Sequence, residues 1–521
     1  MIDSFGGLQM PSFGSTVDFL SAVFILAIGV VLLAIPVLYA IDRFQTRHAI
    51  RRNYPVVGRL RYAMEALGQY FRQYMFAGDR SELPFNRAQR AWVYRAAKGV
   101  DTTVPFGSTR DLSRVGTKIF VNAPFPQLGT DIETPRKVTI GPFCRTPYET
   151  DKFFHISGMS YGAISKPAVE ALSRGAARAG IWLNTGEGGL SPYHLEGGCD
   201  IVFQIGTAKY GVRKEDGSLD EAKLRDIAAH ETVRMFEIKL SQGAKPGKGG
   251  ILPGSKVTPE IARIRGIPAG RDSISPNRHP EVGSVGELLD FVAHIRTVTG
   301  KPTGLKFVLG AADWLGALCE EIDRRGLESA PDFLTIDSAD GGTGAAPQPL
   351  IDYVGLQIQE SLPVLVDTLL DYGLRDRIKV ISSGKLTTPS GVAWALCAGA
   401  DFITSARGFM FALGCIQALK CNTNQCPSGV ATHNKRLQRG LVATDKAERV
   451  FRYATAMHKE VGTVAHSCGV DDPRMLKRHH CRIMGPNART VGLHELYPPG
   501  AGFRSAKDRP DTLTDGTVAA R

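Results

Sequence analysis

Three cysteines, Cys415, Cys421 and Cys426, fall within "GCIQALKCNTNQCPSG" (residues 414–429) at the spacing C-x5-C-x4-C, and Pro427 follows the last. Thiolates are the usual ligands of iron–sulfur clusters, and soft sulfur suits iron. Zinc is a rival, because His433 is close enough in sequence to complete a Cys3His site. Buried inert thiols are a third reading. Of the nine cysteines in the chain, the other six (Cys144, Cys199, Cys319, Cys397, Cys468 and Cys481) are isolated, and burial explains them. The adjacent His479 and His480 are expected to pack or face solvent, since neighbouring helix positions do not face one site.

Further reactive residues lie in glycine-rich turns. "NTGEGG" (184–189) sets Glu187 between glycines, where a carboxylate can accept a proton or bind a cationic nitrogen. "KLSQGAKPGKGGILPGSK" (239–256) holds Lys239, Gln242, Lys245, Lys248 and Lys256 in a stretch too rich in Gly and Pro to be helical. Such a loop can fold over a carboxylate-bearing substrate. Gln242 and Lys245 are expected to contact it, and a solvated basic loop explains the other lysines equally well. "SADGGTGAA" (338–346) lets backbone N–H groups approach an anion or a flat ring.

Each turn needs an element to hold it, and a recurrent unit of strand, glycine turn and helix supplies one. The runs are "FFHISGMSYGAIS", "IWLNTGEGGLS", "MFEIKLSQGAKPG", "TGLKFVLGAA", "FLTIDSADGGTGAA", "IKVISSGKLTT" and "DFITSARGFMFALG". Seven or eight such units predict an α/β fold, a (β/α)8 TIM barrel with its chemistry at the C-terminal strand ends. "SSGK" (382–385) and "SARG" (405–408) then follow the last two strands, where barrels commonly bind phosphate. A doubly wound open sheet is the alternative, but no GxGxxG opens the first unit.

Composition places these units in a folded protein: 521 residues, 43% hydrophobic and 22% charged. The net charge of +12 does not imply nucleic acid, because no recognition module is visible and the densest basic run, Arg43 to Arg61, follows an apolar segment. That segment, Phe19 to Ile41, carries no charge and is long enough to cross a bilayer. Asp3 and Asp18 precede it and Arg43, Arg47, Arg51 and Arg52 follow, which opposes a cleaved signal peptide and predicts a single-pass inner-membrane anchor with the rest cytoplasmic. A disulfide framework is not expected in that reducing compartment. "RLRYAMEALGQYFRQYMF" has helical spacing, as does the stretch after Val442.

"GMSYGAIS", "TGEGG", "IKLSQGAKPGKGGILPG", "DSADGGTGAAP", "GLRDRIKVISSGK" and above all "CNTNQCPSGVATHN" together resemble the FMN-binding synthase domain of glutamate synthase. The resemblance covers about residues 120–440. It implies that Cys415, Cys421 and Cys426 hold a 3Fe-4S cluster. It further implies an FMN shell of Met159, Ser160, Gln242, Lys306, Gly341, Gly342, Thr343, Gly344, Ser383, Gly384, Lys385, Ala406 and Arg407. Substrate contacts would be Gln242, Lys245 and Arg265, with Glu187 and Lys245 catalytic. The implied reaction is reductive amination: 2-oxoglutarate and ammonia give 2-iminoglutarate, and hydride from the flavin gives L-glutamate. An anionic reduced flavin would offset the cost of burying Lys306.

The expected organisation is a short N-terminal segment (1–18), a transmembrane helix (19–41), a basic, mostly helical connector (42–119), the FMN-binding barrel with its cysteine loop (120–440), a C-terminal helical extension (441–503) and a polar tail (504–521). No glutaminase domain is read in the chain, nor the family's long β-helical domain. Ammonia or an amine is therefore expected from solution or a separate subunit, and electrons from a ferredoxin-like or reductase partner. "LSPYH" (190–194) stands where the family has an acidic continuation, so the substrate pocket is expected to differ. Two other readings remain: a dehydrogenase of a small amine or hydroxy acid passing electrons to a membrane quinone, and a non-catalytic electron-relay subunit.

Overall fold

The computed structural model describes residues 13–128 and 135–498, so the polar tail and most of the N-terminal segment lie outside the described residues. The chain divides into two compact units, residues 1–86 and 87–521.

In the first unit, the helix Phe13–Phe44 is apolar, with Pro36 inside it, and most of its described side chains are solvent-exposed. Its segment Thr16–Phe44 is long and apolar enough to cross a membrane. Short helices at Ala49–Asn53 and Gly58–Phe71 follow. The fully buried Asp42 ties them together: it accepts from Arg51 Nη2 (2.7 Å), Arg59 Nε (2.7 Å) and the Val56 amide (3.0 Å).

The second unit is built on a closed barrel of eight parallel strands: β1 (Phe154–Ile156), β2 (Leu183–Asn184), β3 (Ile201–Ile205), β4 (Val233–Lys239), β5 (Thr303–Val308), β6 (Phe333–Asp337), β7 (Lys379–Ser383) and β8 (Phe402–Ser405). Neighbours follow chain order, and β8 closes onto β1 with Ile403 beside Phe154. The strands β3 and β6 are buried at every position, as expected where helices cover a parallel sheet. Helices end on left-handed glycines such as Gly180 (φ 65°) and Gly300 (φ 71°), which return the chain to the next strand.

The interior is graded along the barrel axis. Its floor is apolar: Ile140, Tyr148, Trp182, Val202, Met235, Phe333, Ile381 and Phe402 form one buried cluster, and the ring of His155 lies flat on Trp182 at 3.3 Å. Above it, Glu237 Oε1 accepts from Asn184 Nδ2 (2.8 Å) and Gln204 Nε2 (2.6 Å), and Oε2 accepts from the Thr335 hydroxyl (2.7 Å). Charged groups occupy the C-terminal mouth.

The stretch after Val442 corrects the sequence expectation of continuous helices. One long helix runs over Ala443–Ser467, and Cys481–Met484 and Thr490–Gly492 then form an antiparallel ribbon with Lys118–Phe120 before a short helix at Leu493–Leu496. A turn decides this: Gly485 donates to Arg489 O (2.8 Å), and Ala488 is left-handed at φ 57°.

Candidate active site at the barrel mouth

The strand ends deliver nearly all the residues singled out from the sequence to one trough. Met159 and Ser160 follow β1, Glu187 follows β2, Gln242 and Lys245 follow β4, Lys306 lies within β5, and Gly341 to Gly344 follow β6. Ser383 ends β7, with Gly384 and Lys385 after it, and Ala406 and Arg407 follow β8. Arg265, the last residue of the helix Pro259–Arg265, reaches the same cavity, which is also lined by Glu187, Lys239, Lys245, Tyr210 and Cys421. A second cavity, lined by Ser157, Lys306, Asp337, Ser383, Lys385 and Arg407, shares Gln242, Gly342, Ala406 and Arg407 with the first.

At one end of the trough, buried cations outnumber anions. Glu187 Oε1 lies 2.9 Å from Lys239 Nζ. Burial alone would raise the Glu187 pKa, but the charges of Lys239 and Lys245 hold it below the usual glutamate value. Lys245 is 4% exposed and, among the described residues, has no ion-pair partner; burial and then Lys239 lower its pKa to about 8. Arg265 is 3% exposed, lies 5.1 Å from the Tyr210 ring centroid, and leaves its buried Nε without a partner. The buried Ser275 hydroxyl on the cavity wall is also unpartnered. The open donors of a water-poor wall are what an anionic ligand would satisfy.

Lys239 is the chief residue that sequence reasoning undervalued. Its ammonium bridges Glu187 and the Gln242 carbonyl oxygen, and Gln242 donates in turn to the Thr343 hydroxyl (2.8 Å), joining the β2, β4 and β6 loops. Lys248 is exposed, as the solvated-loop reading expected. Lys306, expected to be costly to bury unpaired, has a partner in the protein itself: Asp337 Oδ2 stands 3.5 Å from its Nζ. Burial is the strongest single influence and lowers the Lys306 pKa, but the charges of Asp337 and Glu237 together outweigh it and leave the pKa raised.

The other end of the trough fits a flat, phosphate-bearing cofactor such as FMN. A Cβ at Gly342 would come within 2.5 Å of Arg407 Nε, and one at Gly384, left-handed at φ 106°, within 2.4 Å of Ser338 Cβ, so glycine alone lets these loops approach. Gly344 faces open space. Lys385 and Arg407 supply positive charge, with Lys385 held by Asp340 (2.8 Å) and Arg407 by the Thr343 carbonyl.

The cysteine loop leaves β8 through the helix Arg407–Ala412 and returns beneath the first cavity. Cys415 and Cys426 are buried and Cys421 half-buried. Burial pushes the Cys415 thiol up to about 11, and the neighbouring Cys421 and Cys426 add to the rise. Gln417, Leu419 and Asn424 adopt left-handed backbone without being glycine (φ 57°, 53° and 61°), a density of strain that marks a loop shaped for its side chains. Lys256, 2% exposed, pins it by donating to the carbonyls of Cys421 (3.3 Å), Ala431 (3.2 Å) and Ala163 (2.7 Å). Among the described residues, no three His, Cys, Asp or Glu side chains converge on a single-ion site, and His433 Nε2 instead pairs with the Gly162 carbonyl (2.8 Å). Cys144, Cys199, Cys319, Cys397, Cys468 and Cys481 are buried free thiols, as expected.

Fold and mouth together place the protein among the (β/α)8-barrel enzymes. The conserved region of glutamate synthase matches residues 117–471, and the chain belongs to the glutamate synthase family, as an oxidoreductase of that type. The glutamate synthase large subunit-like protein YerD of Bacillus subtilis is 39% identical over 512 residues, covering 91% of this chain and 96% of that protein. An archaeal glutamate synthase (NADPH) of Methanocaldococcus jannaschii is 33% identical over 353 residues, covering 67% of this chain and 64% of its own length. The glutamate synthase (NADPH) large chain of Bacillus subtilis is 33% identical over 318 residues, only 20% of that chain.

Proposed function

We propose that the protein is a membrane-anchored FMN and iron–sulfur oxidoreductase that reductively aminates a 2-oxoacid, converting 2-oxoglutarate to L-glutamate through 2-iminoglutarate. The observation that carries this reading is the buried excess of Lys239, Lys245 and Arg265 over Glu187 beside a glycine-walled trough. Arg265, with its free Nε, and Lys245 bind the carboxylates of the oxoacid. Glu187, kept ionised by its lysines, holds the cationic nitrogen that enters as ammonium. Lys245 loses its proton near pH 8, so it can protonate the imine nitrogen as the carbon is reduced.

FMN, held by Ser383 to Lys385, Arg407 and the Gly341–Gly344 loop, would supply the hydride. Cys415, Cys421 and Cys426 would hold a 3Fe-4S cluster that relays electrons from a ferredoxin-like or reductase partner. The helix within Thr16–Phe44 would anchor the chain in the inner membrane, with the barrel cytoplasmic and a separate source of ammonia. The segment boundaries expected from the sequence are part of the same proposal. The exposed apolar helix also favours a second reading, in which a small amine or hydroxy acid is oxidised and a membrane quinone reduced.

Protein solubilised in detergent and purified anaerobically should show flavin absorption and the low-temperature EPR signal of an oxidised three-iron cluster. After dithionite reduction, 2-oxoglutarate with ammonium should reoxidise the flavin. Both cofactors without reoxidation by any oxoacid–amine pair would overturn the amination, and substrate-dependent quinone reduction in membranes would establish the second reading.

A further inference from the structure

We propose that the helix Gly58–Phe71, with the turn Arg72–Phe76 that continues it, lies in the lipid–water interface with its apolar face in an anionic membrane surface. This rests on the anchor reading of the helix Thr16–Phe44. Leu60, Met64, Leu67 and Phe71 recur at helical spacing and are followed by Tyr74 and Met75. Every one of these side chains is between 44% and 68% exposed, so the stripe is unpartnered. Arg61, Glu65 and Arg72 each follow a stripe residue by one position and so lie about 100° round the helix from it, flanking the apolar face with charge as in an interfacial helix.

Two observations choose lipid as the occupant. The first is the Asp42 clasp. Asp42 lies in the last turn of the apolar helix, and its carboxylate is bonded to Arg59 and to the Val56 amide at the start of the second helix. The second helix therefore starts at the depth where the apolar helix ends, which for a membrane span is the headgroup layer. The second is charge. From Asp42 to Arg72 the chain carries seven arginines and two carboxylates. Such a surface is drawn to anionic headgroups, whereas two copies stacked stripe to stripe would bring their arginine rows together. Tyr70 and Tyr74 add the amphipathic rings that collect at that layer.

The test uses the full chain in floated vesicles of phosphatidylcholine and phosphatidylglycerol whose acyl chains are brominated, so that they quench indole fluorescence. Leu67→Trp places the new indole on the apolar stripe and Glu65→Trp on the polar side, both against the four native tryptophans. The expected result is that the protein floats and the emission added at position 67 is quenched about threefold more than that added at 65. Replacing phosphatidylglycerol with phosphatidylcholine should shrink the difference. Equal quenching at the two positions in protein that floats would overturn the interfacial assignment and leave the anchor standing. Protein that fails to float would remove the anchor, and with it the lipid for the helix. A dimer dispersed by Leu67→Glu, without quenching at 67, would make a second copy the occupant and overturn the proposal.

Discussion

At the N-terminal end of the barrel the buried Asp332 has both oxygens filled. Oδ1 accepts from Arg377 Nη2 (2.9 Å), and Oδ2 from Arg296 Nε (3.0 Å), the Thr303 amide (2.9 Å) and the Cys144 thiol (3.4 Å). At the opposite end Glu187 has one close cation, Lys239, with Lys245 and Arg265 acting on it through charge alone. In the first cluster both carboxylate oxygens are saturated and only Arg377 Nη1 is left over, whereas the second has, among the described residues, a whole lysine, Lys245, and Arg265 Nε without partners. A protein gains little from burying unpaired cations unless something else completes them, so the lower cluster serves stability and the upper one serves a ligand.

Substitutions that exchange these two outcomes would break the comparison. Glu187→Gln keeps the shape and a hydrogen-bond acceptor for Lys239 but removes the charge. Turnover should fall about 10²- to 10⁴-fold while the thermal midpoint hardly moves, and an unfolded Glu187→Gln protein would place Glu187 with the structural charges. Asp332→Ala should do the reverse, costing about 3–5 kcal/mol in denaturant unfolding because the buried Arg377 and the half-buried Arg296 lose their partner. Its folded fraction should bind 2-oxoglutarate with unchanged affinity.

Lys245 sharpens the comparison through pH. Its pKa in the folded protein is about 8, below the ordinary 10.5, so between those values the unfolded chain binds more protons and stability rises with pH. Below about pH 8 the charged form is an unfavourable guest of the fold. Lys245→Met should therefore make the ligand-free protein more stable at neutral pH, measured as an upward shift in thermal midpoint, while weakening 2-oxoglutarate binding on the order of tenfold or more. In the unmodified protein, affinity should decline as pH rises through about 8 and the ammonium is lost. That decline should vanish in Lys245→Met, and a decline that persists would mean another group binds the carboxylate.

How much of this was legible in sequence follows from the range of the forces involved. The barrel was readable because each glycine turn is a local necessity, and the cysteine spacing was readable because one short loop contains all its members. The strand β3, "IVFQI", was not among the runs picked out, although Gly206, Thr207 and Ala208 follow it as small residues follow the others. Lys239 was undervalued because a lysine ending a strand looks like the lysines beyond it, and only closure of the barrel brings Glu187 to 2.9 Å. Lys256 escaped for the same reason: its partners are carbonyls from residues 163, 421 and 431, a grouping that no spacing rule encodes. The ribbon after Ser467 was read as helix because the helical spacing before it was carried past the turn.

The smallest expected effect probes "LSPYH", the segment that departs from the family's acidic continuation. Tyr193, within "LSPYH", donates to Glu260 Oε1 (2.5 Å), Tyr161 donates to Oε2 (2.7 Å), and Lys166 Nζ lies 4.5 Å from the Tyr193 ring centroid. Glu260 stands in the first turn of the helix that ends in Arg265, so this clasp sets the position of the cavity-lining guanidinium from the far end of the helix. Burial acts to raise the Glu260 pKa, yet the two phenols and Lys166 leave it lowered. A lowered carboxylate adds stability above its unfolded pKa that is lost as pH falls through the folded one. Tyr193→Phe should cost about 1 kcal/mol and move the acid edge of unfolding to higher pH. It should also raise KM for the oxoacid severalfold at nearly constant kcat, because Arg265 is displaced while Glu187 and Lys245 are not. A fall in kcat at unchanged KM would instead tie "LSPYH" to the reacting atoms, and the boundary between binding and chemistry at the mouth would have to be redrawn around β2.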